Sequence, residues 1–381
     1  MYIQPKSHTA SKYIWFFIVP LLFLLIAPVF IINNTFFTIN KVGNHIPIIS
    51  SEQLIEIISS ENQHFSSVIP VKEEVSVLKV GAEFVSNIRF GDIRSLLGTE
   101  IPGMQSYHAE ILVAGVGTNF TNIPIESTPP MEVLLQEREM AEEQLKELLA
   151  DKDDTQTPTG TLSEDTFFIY HTHSYESYFP LLGLQDVEDA NKASDAKTNI
   201  TLIGELLGKK LEEKGIQTIV DKTNMGQELA DRNLKHTSAY RVSREFVTEA
   251  MNSDKKLTYF LDLHRDSLRK KDTTVTINNQ RYAKIAFVIG EENKNYEKNA
   301  ALALQLHNLI EDKYPGLSRG LLPQGGEGVN GVYNQDLSPN ALLIEMGGVD
   351  NDMAELKNTV NVLAEVISEN YWKAEKVNGE N

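Results

Sequence analysis

The 381 residues exceed what one compact domain usually holds, and 41% hydrophobic with 23% charged residues is the composition of a folded chain, not a disordered one. A formal net charge of −18 argues against nucleic acid as a partner, because neutralising phosphates needs clustered Lys and Arg. The chain has no cysteine, so disulfides, thiolate ligands and a Cys nucleophile are excluded, and any metal must be held by His, Asp or Glu.

In chain order, residues 1–12 carry Lys6 and Lys12 and no acid. The uncharged run Tyr13 to Ile32 is long enough to cross a hydrocarbon core as one helix. It is long for a cleavable signal, and Asn33, Asn34 and Thr35 after it offer no small-residue cleavage site. The expectation is an uncleaved transmembrane anchor. The basic flank places the N-terminus in the cytoplasm and the rest of the chain outside. Residues 33–130 show β-favouring stretches (Val71 to Ile88, Tyr107 to Val116), a short helical one (Phe90 to Leu97) and the punctuation of Gly103 and Pro129-Pro130. They read as a smaller, mixed α/β or β-containing extracytoplasmic region that binds a partner, and they hold no catalytic constellation. Met131 to Ala150 has apolar residues at helical spacing, and Asp151 to Glu164 is an acidic, Thr/Pro/Gly-containing linker, so 131–165 reads as a connecting helix and linker.

From 166 to 381 short apolar strands alternate with amphipathic helices. Strands fall at Thr166 to Tyr170, Ile216 to Val220, Leu257 to Leu263, Arg281 to Ile289 and Ala341 to Met346. Helices fall at Asn199 to Lys214, Ser238 to Asn252, about 295–312 and about 352–372. This pattern predicts an α/β domain, a mainly parallel sheet flanked by helices, with functional groups at the carboxyl ends of the strands. No glycine-rich nucleotide fingerprint is present.

Three apolar strands each end in a metal-competent or acid/base residue. Phe167 to Tyr170 runs into His171, Thr172, His173, Ser174, Tyr175 and Glu176; Phe260 to Leu263 runs into His264, Arg265 and Asp266; and Leu342 to Ile344 runs into Glu345, Met346, Gly347 and Gly348. If these strands are parallel neighbours, their ends meet at one edge of the sheet. Two imidazoles and a carboxylate make a three-protein-ligand zinc site with a position left for water, and a second, unbound carboxylate can carry the proton. A lone His at a strand end is more often structural, and Glu345 on its own could be an ion-paired core carboxylate. Three such coincidences in one domain favour a Zn2+ site.

The order His173-x-x-Glu176, His264, Glu345 resembles that of zinc carboxypeptidases. Ser338 to Asn351 resembles the catalytic-glutamate segment of zinc-dependent N-acetylmuramoyl-L-alanine amidases. The blocks His171 to Pro180, Leu261 to Ser267 and Gly331 to Gly348, with the N-terminal anchor and Gly91 to Met104, together resemble the stage II sporulation protein P family over nearly the whole chain. That resemblance implies a membrane-anchored murein hydrolase of endospore formers acting in forespore engulfment. It implies amidase and also endopeptidase action on peptidoglycan, with stage II sporulation proteins D and M as partners. The segment Asp195 to Asn199 lacks the ligand Glu that commoner amidases carry there, which leaves Glu176 as the candidate carboxylate ligand.

The expected site is Glu345 as catalytic acid/base, His171 or His173 with Glu176 and His264 as Zn2+ ligands, and Arg265, Tyr333 and Asn334 toward substrate. The spacing favours His173 and the strand end favours His171. For Arg265, an ion pair with Asp266 is the competing reading. Two other functions remain open: a peptidoglycan carboxypeptidase or endopeptidase only, and a non-catalytic anchored scaffold, which would have no need of Glu345.

Overall fold

The computed structural model describes residues 111–119, 121–150, 162–326 and 328–379, all within the compact unit Gly103–Asn381. The Tyr13 to Ile32 run, the residues up to 110 and the core of the acidic linker lie outside the described residues. Among the described residues no helix is long and apolar enough to cross a membrane.

The strands are β1 (Val113–Ala114), β2 (Thr166–Tyr170), β3 (Gln217–Val220), β4 (Leu257–Asp266), β5 (Thr274–Ile277), β6 (Gln280–Ala283), β7 (Ile285–Gly290), β8 (Ser318–Gln324) and β9 (Ala341–Gly348). Helices α1 (Met131–Leu134), α2 (Glu142–Leu149), α3 (Thr201–Glu213), α4 (Met225–Asp231), α5 (Ala239–Ser253), α6 (Lys270–Thr273), α7 (Tyr296–Lys313) and α8 (Met353–Gly379) connect or flank them. The main sheet has seven strands in the order β1-β8-β7-β9-β4-β2-β3. The pairs β3/β2, β2/β4, β4/β9 and β7/β8 are parallel, while β7/β9 and β1/β8 are antiparallel. The sheet is therefore mixed with mostly parallel ladders, and β2, β4 and β9 are parallel neighbours at its centre.

Side chains alternate across a strand, so each strand serves two layers. Phe167, Ile169, Leu261, Leu263, Leu342 and Ile344 meet Ile203, Leu207 and Leu211 of α3 and Leu363 and Ile367 of α8. Phe168, Tyr170, Phe260 and Ala341 face the other way, onto Val247 of α5. Burial on both faces explains the near-continuous apolar runs, each large side chain contributing about 1.5–3 kcal/mol.

Several elements differ from the sequence reading. The stretch Met131 to Ala150 is two helices, because the backbone between them is spent on tertiary bonds: Gln136 O accepts from Ala196 N, Arg138 O from Thr198 Oγ1, and Ala141 N donates to Leu181 O. The strand expected over Arg281 to Ile289 is split, with β6 pairing β5 in a hairpin turned at Asn278 and Asn279, both at positive φ. β8 lies between the helix expected to about 312 and the strand expected at Ala341, where the sequence reading places no element. The segment before Pro130 has its own place on the sheet. β1 pairs with β8, Ile125 N donates to Asp266 Oδ1, and Tyr240 donates to Glu126, so the described residues before Pro130 are built onto the same sheet.

Candidate metal centre

The local chain delivers the site in three pieces. Just past β2, a turn closed by Glu176 N to His173 O puts these side chains together, with His173 Nδ1 3.7 Å from Glu176 Oε1. β4 supplies His264, whose Nδ1 lies 3.5 Å from Glu176 Oε2. β9 supplies Glu345, in register with His264 on the parallel ladder. Immediately after it, β9 bends at Gly347 (φ 68°), where a Cβ would meet Asn351 Oδ1 at 2.5 Å, so the Gly in the sequence is demanded by backbone and space together.

One ligand atom from each of His173, Glu176 and His264 lies within 4.8 Å of the others, and all three residues are buried. His173 Nδ1, His264 Nδ1 and Glu176 Oε1 have no hydrogen-bond partner, a costly state for buried polar atoms unless something else binds them. Burial by itself raises the Glu176 carboxyl, but contacts with His173 and His264 and the charge of Arg265 outweigh it and hold the group below the usual carboxylate range. Burial pushes the His264 imidazole down, and Asp262 and Glu176 reverse this and lift it well above its ordinary value. The cluster therefore attracts positive charge. Two imidazoles and a carboxylate with unsatisfied atoms are a donor set that would suit Zn2+.

Glu345 is 3% exposed and its Oε2 is unpartnered. Burial, reinforced by the charge of Asp266, holds its carboxyl well above the usual range. A carboxyl of this kind can move a proton near neutral pH.

Other expected residues lie elsewhere. His171 does not join the cluster. It follows Ile169 onto the α3 face, where its Nδ1 lies 3.1 Å from Asp221 O and its Nε2 faces Gly204. Burial lowers its pKa to about 4. Arg265 reaches neither Asp266 nor an open surface; it is buried, donating to Ser127 Oγ (2.8 Å) and Ala193 O (2.9 Å). Asp266 pairs with Arg319 at 2.6 Å instead. Tyr333 and Asn334, expected toward substrate, are both buried. The Tyr333 hydroxyl donates to Gln324 and Asn334 Nδ2 to Ser243 Oγ, both residues being buried at positive φ. Asp195 accepts from Lys197 N and Thr198 N ahead of α3.

Three neighbours of the cluster went unread in the sequence. The Tyr240 ring packs edge-on to His173 (5.3 Å between centroids) and nearly parallel to His264 (6.2 Å). Its hydroxyl donates to Glu126 at 2.6 Å. No local pattern marks either residue, since long-range packing alone joins them. Asp262 had a signal: it stands two residues before His264, on the same face of β4.

These features define an α/β protein with a candidate metal centre at the carboxyl ends of its central parallel strands. The chain belongs to the stage II sporulation protein P family, whose family model matches residues 91–368. Stage II sporulation protein P of Bacillus subtilis (strain 168) is 44% identical over 326 residues, covering 84% of this chain and 81% of that one. Overlays on solved structures are looser. An N-acetylmuramoyl-L-alanine amidase from Clostridium difficile 630 gives a TM-score of 0.33 at 18% identity, covering 56% of this chain and 97% of that one. The CwlD amidase from Clostridioides difficile, in complex with the GerS lipoprotein, gives 0.35 at 13% (56% and 99%). A metallo-carboxypeptidase from Burkholderia cenocepacia gives 0.31 at 11% (56% and 58%). Scores of this size establish no common fold.

Proposed function

We propose that this chain is a zinc-dependent peptidoglycan hydrolase, an N-acetylmuramoyl-L-alanine amidase that also cleaves peptide cross-links. In this reading it is anchored by Tyr13 to Ile32, faces outward, and acts in forespore engulfment with stage II sporulation proteins D and M. The observation that carries the hydrolase reading is the meeting of unsatisfied His173, Glu176 and His264 atoms with a buried, unpaired Glu345 beside them. The cellular role, anchoring and partners rest on family membership and the N-terminal sequence.

His173, Glu176 and His264 would hold the ion, and Zn2+ bound there supplies Lewis acidity. Glu345 takes a proton from the attacking water as the C–O bond forms, and then returns it to the amide nitrogen, which departs as an amine when the C–N bond breaks. Burial suits Glu345 to this work, because a carboxylate whose pKa is pushed above its usual range is a stronger base toward the water proton, and the carboxyl it becomes is still acidic enough to protonate an amine nitrogen. A non-catalytic scaffold has no use for such a group. Glu345→Gln is nearly isosteric and should keep fold and Zn2+ binding while turnover falls by at least about 100-fold, the usual size of an acid/base contribution. Loss of Zn2+ binding in that variant, or retained turnover, would show that the role of Glu345 is misassigned.

A further inference from the structure

We infer that Asp262 is a positioning residue of the metal centre: it fixes the ring orientation and tautomer of His264 so that Nδ1 is left free for the ion. The inference rests on the reading of His173, Glu176 and His264 as ligands.

Asp262 and His264 share one face of β4, two residues apart, and Asp262 Oδ1 lies 3.0 Å from His264 Nε2. The opposite ring nitrogen, Nδ1, is the one turned to Glu176, at 3.5 Å. The Nε2 contact is out of line with the ring N–H, and neither nitrogen has an aligned partner. At 3.0 Å the carboxylate is within hydrogen-bond reach of an Nε2–H. With the proton committed there, Nδ1 carries the lone pair that a metal requires.

The Asp262 carboxylate is itself held. Thr172 N donates to Oδ1 at 2.8 Å and Thr172 Oγ1 to Oδ2 at 2.6 Å. Thr172 Oγ1 lies 2.8 Å from Ser243 Oγ on α5, and Ser243 Oγ accepts from Asn334 Nδ2 at 2.9 Å. A buried chain therefore runs from α5 through the turn after β2 to the face of β4, with His264 at its end. This accounts for two things the hydrolytic reading does not use: a buried aspartate inside an apolar strand, which burial alone disfavours, and Asn334 held at φ 56°.

The test is Zn2+ affinity of the full chain, metal-stripped and titrated calorimetrically or against a chromophoric chelator, for the unmodified protein, Asp262→Asn and Asp262→Ala. Asparagine keeps an acceptor but loses its charge, and alanine loses both. The expected order of affinity is Asp, then Asn by several-fold, then Ala by about 10–100-fold, the size of effect such outer partners have on metal sites. The ligand-field spectrum of the Co2+-loaded protein should shift along the same series. A purely structural Asp262 would lower the stability of the metal-free protein and leave the affinity of its folded fraction unchanged. A folded Asp262→Ala binding Zn2+ within twofold of the unmodified chain overturns the inference. If that variant does not fold, Asp262→Asn binding within twofold overturns it equally. An unmodified chain that binds no Zn2+ overturns the ligand reading as well, which distinguishes the two failures.

Discussion

Replacing Gly204 with alanine should stabilise an ordinary helix by about 1 kcal/mol, since glycine is that much poorer in a helix interior. Here the sign should reverse. Gly204 lies inside α3, and a Cβ there would sit 2.3 Å from His171 Nε2 and 2.5 Å from its Cε1. The ring cannot swing away freely, because its Nδ1 is engaged with Asp221 O. Displacing it forfeits about 1 kcal/mol of hydrogen bond. Crowding a packed site costs about 1–3 kcal/mol more. After the helix gain, Gly204→Ala should lose about 1–3 kcal/mol. In a His171→Ala background the obstacle is gone, and the same change should gain up to about 1 kcal/mol. Urea unfolding of the four proteins measures the coupling directly, and about 2–4 kcal/mol is expected from these terms. Effects additive within about 0.5 kcal/mol would refute the placement of His171 against α3 and reopen it as a metal ligand.

Stability should depend on pH through the same histidine. Its folded pKa of about 4 lies below the reference 6.5, so its contribution is intact above 6.5 and is lost as pH falls from 6.5 to 4. The loss amounts to about 3 kcal/mol. His171→Asn should flatten that part of the curve in denaturant titrations run between those pH values, and an unchanged slope would count against it. Arg319→Met should cost about 3–5 kcal/mol, because it strands buried Asp266 and releases the Asn122 carbonyl that Arg319 also binds. A shift in unfolding free energy below about 1 kcal/mol would mean the pair is not buried in solution.

Much of the site's scaffold was legible because apolar strands ending in His or Glu are local signals. β2, β4 and β9 each carry a nearly unbroken apolar run, and their parallel adjacency brings His173, Glu176, His264 and Glu345 together. The choice between His171 and His173 could have been made from strand alternation, since His171 shares the parity of Ile169 and so faces α3. The β5–β6 hairpin was missed because Asn278-Asn279 at positive φ turns the chain inside what reads as one β-rich stretch. β8 (Ser318–Gln324) was missed because Gly320 and Pro323 look like loop punctuation; Gly320 in fact lets β1 approach closely, its Cβ position lying 1.9 Å from Val113 O. The packing of Ile125, Glu126 and Ser127 over the strand ends depends on contacts more than a hundred residues away, which no local pattern reports.

Digestion of purified peptidoglycan by the full chain, with products identified by mass spectrometry, tests the central claim most directly. The reading proposed here predicts release of intact stem peptides that stops on chelation and returns with Zn2+. It also predicts none from His173→Ala or His264→Ala, while His171→Ala stays active when folded. Peptide release that survives complete removal of metal would contradict it, as would a folded, Zn2+-bound chain that releases nothing.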